Sequence, residues 1–163
     1  VLAEAAALLK ANPKDVAKRV ASLQADYKEL QRENESLSQK MANAQAGAVL
    51  DAAQKIGDVT VLATRVDAKD NNQLRQMMDD LKEKMEKAVI VLGAVSDDKV
   101  MLCAGVTKDI VGGNYHAGNI VKSVAEQCGG KGGGRPDMAM AGAKEASKLE
   151  DALNSVYDYV KSI

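Results

Sequence analysis

The chain has 163 residues, of which 46% are apolar and 28% charged, and its net charge at pH 7 is −1. This composition is typical of a globular protein with one modest core, and a slightly acidic chain does not coat nucleic acid non-specifically. Its longest apolar run, 88–95, is far shorter than the ~20 residues that span a bilayer, so no membrane contact is expected. The chain begins with Val1 rather than Met, which predicts a fragment or a processed chain without a signal peptide.

The chain has few side chains of the kinds that bind metals, act as nucleophiles or stack on bases. Aromatic residues make up 2% of the chain, so few platforms exist for stacking single-stranded bases, and base-by-base reading is not expected. His116 is the only histidine, and Cys103 and Cys128 lack the paired spacing of a metal or redox site. We therefore expect no metal site, no catalytic residues, and two buried cysteines in a reducing compartment.

The N-terminal third is predicted to be helical. A short apolar helix is expected over 1–11, and a long helix is expected to begin at Pro13, with Asn12 as its N-cap. Apolar positions then recur in alternating steps of four and three, which is the heptad pattern of a coiled coil. The predicted seam consists of Val20, Leu23, Tyr27, Leu30, Asn34, Leu37 and Met41. Because one Asn at an a position is typical of parallel dimers, the seam favours a homodimer; the alternative is packing against 1–11 within one chain.

The period of the apolar residues changes beyond Gly57, which predicts a helical, coiled-coil-like subdomain at 1–57 and a globular subdomain at 58–163. Strands are expected over 59–66, 88–95, 100–106 and 137–141, and helices over 71–87, 117–128 and 149–163. Ser96 to Lys99 should form a hairpin turn. The predicted fold class is α+β, or mixed α/β, with a small sheet of about four strands and about three helices.

Residues 129–142 read Gly-Gly-Lys-Gly-Gly-Gly-Arg-Pro-Asp-Met-Ala-Met-Ala-Gly and are predicted to form a surface loop. Glycines allow backbone N–H groups to converge on an anion, and the two cations of the segment add charge suited to phosphate. The candidate phosphate contacts are Gly129, Gly130, Lys131, Gly132, Gly133, Gly134 and Arg135, with Lys108, His116 and Lys122 as further RNA contacts and Tyr115 as a stacking residue. The alternatives are a flexible connector for the loop and a solvated surface role for Lys108 and Lys122.

The glycine segment, together with Met78-Asp79-Asp80-Leu81-Lys82, Ile90-Val91-Leu92 and Ala104-Gly105-Val106-Thr107-Lys108-Asp109, closely resembles the C-terminal domain of bacterial alanyl-tRNA synthetases. The globular part resembles a module shared with DHH-type phosphoesterases. The resemblance covers essentially the whole chain. Three positions depart from the usual pattern of that domain, namely His116, Met140 and Ala143.

The resemblance implies a non-catalytic accessory domain that contacts the elbow of tRNA, links aminoacylation to editing and takes part in dimerisation. Asp137 would join the loop as an RNA-facing residue. The implied partners are tRNA, a second copy and the other domains of a cytoplasmic synthetase. No cofactor is implied here, since ATP and any zinc would bind elsewhere in the longer protein. The alternatives are a dimerisation and linker module without RNA contact, and a hydrolytic phosphoesterase piece, for which the chain lacks the Asp-His-His metal ligands.

Overall fold

The computed structural model describes the backbone of all 163 residues and every side chain except those of residues 42, 43, 45 and 46. The chain forms two compact units, Val1–Asn43 and Ala44–Ile163, and the division between them falls inside one long helix. The helices are α1 (Leu2–Leu8), α2 (Val16–Asp51), α3 (Asn71–Lys84), α4 (Ala117–Gln127) and α5 (Leu149–Ser162). The strands are β1 (Gln54–Ile56), β2 (Val59–Arg65), β3 (Ala88–Ser96), β4 (Lys99–Val106), β5 (Lys131–Gly134) and β6 (Met138–Ala143).

The predicted α+β fold class is confirmed. A single six-stranded mixed sheet has the order β1-β2-β3-β4-β6-β5. Its parallel pair, β2 and β3, is connected through α3, and the other neighbours are antiparallel. The predicted turn between β3 and β4 is present, with Asp97 and Asp98 both at positive φ (49° and 58°), which is the backbone of a two-residue hairpin.

Alternation along the strands divides the core into two layers. In β3, Val89 and Val91 face α4 and α5, whereas Ile90 and Leu92 face α3. The same alternation in β6 sends its alanines towards α4 and sends Met138 towards the α3 layer. Because successive side chains of a strand point to opposite faces, the continuous apolar run of β3 is explained by burial on both sides.

Two predictions about the number and kind of elements were wrong. The sheet has six strands rather than four, because β1 is too short to leave an apolar pattern and because part of the glycine segment is a strand. The long helix begins at Val16 rather than Pro13, since Pro13–Asp15 form a 3₁₀ turn that precedes it. Asn12 flanks that turn in an extended conformation, and its side chain makes no capping hydrogen bond.

Within the N-terminal unit, the predicted seam lies on the surface of α2. Val20 and Leu23 are 40% and 43% exposed, and Tyr27, Leu30, Leu37 and Met41 are more exposed still. Asn34 is exposed among them. In the part of the chain with described side chains, these apolar residues are therefore an unpartnered stripe along the helix.

Candidate functional site

The first two residues of the glycine segment, Gly129 and Gly130, terminate α4. Gly129 has φ +67°, and its N–H donates to the carbonyl of Glu126, while the N–H of Gly130 donates to the carbonyl of Ala125 at 2.8 Å. These two bonds form the Schellman motif, which a residue with a left-handed backbone completes and which glycine enters without strain. The end of this helix therefore favours glycine at position 129 whether or not a ligand binds there.

The strand predicted over 137–141 is present as β6, but the prediction that the glycines before it form a loop was wrong for 131–134. Lys131–Gly134 form the edge strand β5, which pairs only with β6 in the sheet. Glycine weakens a strand through its backbone entropy, which is the reason a loop was expected. Pairing with β6 and packing against α4 compensate for this cost here.

Close packing explains most of these glycines. A Cβ on Gly118, in the first turn of α4, would lie 2.5 Å from the carbonyl oxygen of Gly134 and 2.9 Å from Cε1 of His116. A Cβ on Gly134 would lie 2.7 Å from the Cβ of Ala139, and Gly130 and Gly132 are also too close to β6 for a side chain. Gly133 alone among the glycines of β5 has open space around it. The motif lets α4, β5 and β6 approach one another closely.

The segment after β5 presents Arg135 on a fixed backbone. Arg135 is exposed, and its Nε lies 3.4 Å from Oδ1 of Asp137. The carbonyl of Asp137 accepts hydrogen bonds from Nζ of Lys82 and from the N–H of Val106, both at 3.0 Å. The neighbouring carbonyl of Pro136 accepts the N–H of Ala117, the first residue of α4, at 2.9 Å. The backbone of Asp137 therefore ties the segment to α3 and β4, and its carboxylate forms an exposed ion pair with Arg135.

The other predicted contacts divide into two groups. His116 is the N-cap of α4, and its Nδ1 accepts the N–H of Asn119 at 3.4 Å. The His116 ring and the Gly134 backbone both lie close to Gly118. Lys108 is exposed and lies two residues after Val106, the last residue of β4, whose N–H donates to the carbonyl of Asp137. Lys122 lies farther along α4, 4.0 Å from Glu126. Lys131 stands at the opposite end of β5 from Arg135, roughly 13 Å away at about 3.3 Å per residue.

We call Lys108, His116 and Arg135 the arginine cluster. His116 and the Arg135 segment lie at the N-terminal end of α4, where the helix dipole adds partial positive charge, and Lys108 follows Val106, whose N–H donates to the carbonyl of Asp137. Tyr115, the predicted stacking residue, is half-buried against the core, so only part of its ring is exposed. The sequence analysis did not identify Lys82 or Gly118 as residues of this site. For Lys82, the one indication in the sequence was its place as the last residue of the Met-Asp-Asp-Leu-Lys motif.

The Thr-Lys-Asp motif beside this cluster holds strand ends together. Thr107 Oγ1 accepts the N–H of Ala88 at 2.9 Å, and a carboxylate oxygen of Asp109 accepts the N–H of Lys87 at 2.6 Å. Hydrogen bonds from the Thr107 hydroxyl and from that Lys87 N–H lower the pKa of Asp109 below its ordinary value. The charged form of Asp109 therefore stabilises the fold.

Replacing Asp109 by Asn is expected to lower stability at neutral pH and to weaken its acid dependence. Because the pKa of Asp109 is lower in the folded state, its contribution is present above the unfolded value of about 3.9 and is lost as pH falls below it. Urea unfolding at several pH values should show a smaller loss on acidification for Asp109→Asn than for the wild type. Asp98→Asn, in the hairpin turn, is the control; the same acid dependence in Asp109→Asn and the wild type would contradict the assignment.

The two cysteines are free and buried, as predicted. Burial raises the pKa of the Cys103 thiol to about 12, so this thiol is protonated and unreactive at neutral pH. Among the described residues, no three His, Cys, Asp or Glu side chains lie together as a metal site. Within the same part of the chain, no helix is both long and apolar enough to cross a membrane.

Comparisons with known proteins agree with this architecture. The DHHA1 domain model matches residues 58–162. Alanine–tRNA ligase of Bacillus pumilus (strain SAFR-032) is 59% identical over 163 residues, which are 100% of this chain and 19% of that protein. For alanine–tRNA ligase of Bacillus subtilis (strain 168) the identity is 58%, with the same coverage of both chains. The chain thus spans about a fifth of the length of these curated relatives.

A solved structure extends the likeness to the fold. The C-Ala domain from Aquifex aeolicus alanyl-tRNA synthetase superposes with a TM-score of 0.61 at 25% identity, covering 67% of this chain and 97% of that one. The resemblance predicted from the glycine segment and its companion motifs is therefore confirmed. Because this family model matches residues 58–162, more than half of the chain, the chain belongs to the DHHA1 domain family.

Proposed function

We propose that this chain is the non-catalytic, tRNA-binding accessory domain of a cytoplasmic alanine–tRNA ligase. In this proposal it contacts the tRNA elbow and links aminoacylation to editing in the longer protein. Support comes from the relatives that match it over 100% of its length and are named alanine–tRNA ligase. The globular unit also offers an exposed cation on a fixed backbone.

The observation that carries the RNA contact is the arginine cluster. Arg135 is 69% exposed but is held by Asp137, whose carbonyl is in turn bonded to Lys82 and Val106. A planar guanidinium in a fixed position suits the geometry of a phosphate, and Lys108 and the N-terminal end of α4 add positive charge beside it. Because β5 is an edge strand, its outward-facing N–H groups are not paired in the sheet. In this proposal they are the donors through which the Gly129 to Gly134 segment contacts phosphates.

Replacing Arg135 and Lys108 together by Ala is expected to weaken the binding of folded tRNA by about 1–3 kcal/mol and to make its salt dependence shallower. Both side chains are exposed, so the fold should be retained. Fluorescence anisotropy with labelled tRNA at two salt concentrations measures both effects. The double variant Lys84→Ala/Lys161→Ala removes the same charge elsewhere on the surface and should bind nearly as tightly as the wild type. Equal weakening in the two double variants would contradict a local site.

A second candidate function is homodimerisation through α2, either beside RNA binding or in place of it. The observation that favours it is the stripe of exposed Val20, Leu23, Tyr27, Leu30, Asn34, Leu37 and Met41. A helix that exposes large apolar side chains at heptad spacing gains stability by burying them against a partner helix.

A further inference from the structure

A concave groove of about 1000 Å³ lies beside β5 and β6, on the same side of the sheet as α3. Its rim carries Lys69, Lys99, Lys131 and Lys144, and its floor includes Met101 and Met140. We call this feature the lysine groove. It is distinct from the arginine cluster, which stands at the other end of β5.

Strand geometry explains why these side chains share one face. Lys99 and Met101 are two residues apart in β4, so they point to the same side, and Met101 packs with the α3 layer. In β6, Met140 packs with that layer too, and Lys144 follows it at an even spacing. Lys131 pairs with Gly142, which lies on the same face as Met140. Lys69 lies two residues before α3 and is the fourth lysine that lines the groove.

In the described part of the globular unit, α3 reaches this face of the β5–β6 pair at Met138 but does not pack broadly on it. The sheet contacts of α3 are to β3 and β4, whereas α4 packs on the opposite face of β5 and β6. Gly142 leaves space in the floor of the groove, since a Cβ there would meet only the carbonyl oxygen of Val100, at 3.9 Å. Met101 and Met140 are consequently only half-buried.

The groove is net positive, because four lysines line it against two carboxylates, Asp70 and Asp97. Across the part of the chain with described side chains, none of the four lysines has a carboxylate within 4.0 Å. The carboxylate of Asp70 caps α3, accepting the N–H of Gln73 at 2.8 Å, and Asp97 lies in the hairpin turn between β3 and β4. Four cations around a half-exposed apolar floor are complementary to a ligand with phosphate at its rim and a flat apolar body.

We propose that the lysine groove binds one unpaired nucleotide of an RNA strand, with its base against Met101 and Met140 and its flanking phosphates at the lysines. Thioether side chains contact flat rings well and adapt to their shape, so they replace the aromatic platform that the chain lacks. This inference rests on the proposed RNA-binding function and adds a second contact to it. The two contacts are separated by the length of β5, so one strand reaches both.

The test uses a labelled six-nucleotide single-stranded RNA, and the same backbone without bases, against the whole chain. Lys99→Ala/Lys144→Ala is expected to weaken binding of both ligands about tenfold and to lower the salt slope by about 1.4, or about 0.7 per phosphate contact. Met140→Ala, checked for folding by thermal melting, should weaken binding of the base-bearing RNA only. Lys84→Ala/Lys161→Ala, which carries the same charge change, should leave binding close to that of the wild type.

Several results would overturn the proposal. One is a wild-type chain that does not bind the hexamer, and another is equal affinity for the two ligands, which would make the groove a general polyanion site. Displacement of the RNA by equimolar inorganic phosphate would identify free phosphate as the ligand. If folded tRNA binding is lost in Arg135→Ala/Lys108→Ala but unchanged in Lys99→Ala/Lys144→Ala, the proposed function stands and the groove proposal fails.

Discussion

Replacing Gly118 by Ala is expected to lower the free energy of unfolding by about 1–3 kcal/mol, although Gly to Ala in a helix ordinarily stabilises by up to about 1 kcal/mol. The added Cβ would lie 2.5 Å from the Gly134 carbonyl oxygen and 3.0 Å from the Gly134 nitrogen. Both atoms belong to the backbone of a paired strand, so neither can move aside cheaply. The clash therefore outweighs the gain in helix propensity.

Gly133→Ala is the matched control for this prediction. Gly133 lies next to Gly134 in the same strand, and a Cβ there would meet nothing within 4 Å. Urea unfolding followed by circular dichroism should separate the two variants by more than 1 kcal/mol, in the order Gly118→Ala below Gly133→Ala. Equal stabilities would mean that α4 shifts away from β5 without cost, and the packing role assigned to these glycines would be withdrawn.

Replacing Leu23 and Leu30 together by Glu is expected to convert a dimer of the chain into a monomer. Both leucines are predicted d positions of the seam and both are exposed on α2, at 43% and 63%. A carboxylate buried in a coiled-coil seam loses its hydration and meets the like charge of the partner helix, which costs several kcal/mol per pair. Sedimentation equilibrium over a range of protein concentrations measures the change in mass.

The control adds the same charge to the other side of the helix. Ala25 and Gln39 occupy f positions in the predicted heptad, so Ala25→Glu/Gln39→Glu should sediment as the wild type does. A wild-type chain that is monomeric at all concentrations would refute the seam as a homodimer interface and leave packing against another segment as its explanation. Loss of the dimer in both double variants would point to general charge repulsion rather than to the seam.

Taken together, the proposed contacts place RNA on one edge of the globular unit. Arg135 and Lys131 mark the two ends of β5, and each stands in a different chemical setting. Arg135 is an exposed, planar donor that follows β5 beside a helix N-terminus, whereas Lys131 is one of four lysines around an apolar floor. A strand that crosses this edge would be held by directed hydrogen bonds at one end and by diffuse charge and apolar contact at the other.

Local sequence patterns determined much of the fold. The strands β2, β3 and β4, the apolar stripes of α3, α4 and α5, and the hairpin turn at Asp97 and Asp98 were all predicted, because each depends on neighbours within a few residues. The family resemblance followed from the glycine segment, whose composition is rare enough to be specific. The sequence also indicated which cations to consider, since Lys131 and Arg135 stand inside that segment.

Tertiary structure alone decided what the glycines do and which cations lie together. No local sequence pattern marks Gly118 as important. A glycine is required at this position because the backbone of Gly134 in β5 packs against it. β5 forms because β6 and α4 compensate for the entropy that a glycine-rich strand loses, a long-range effect that no local pattern records. In the same way, Lys69, Lys99, Lys131 and Lys144 are scattered along the chain and meet only because strand pairing and side-chain alternation place them on one face of the sheet.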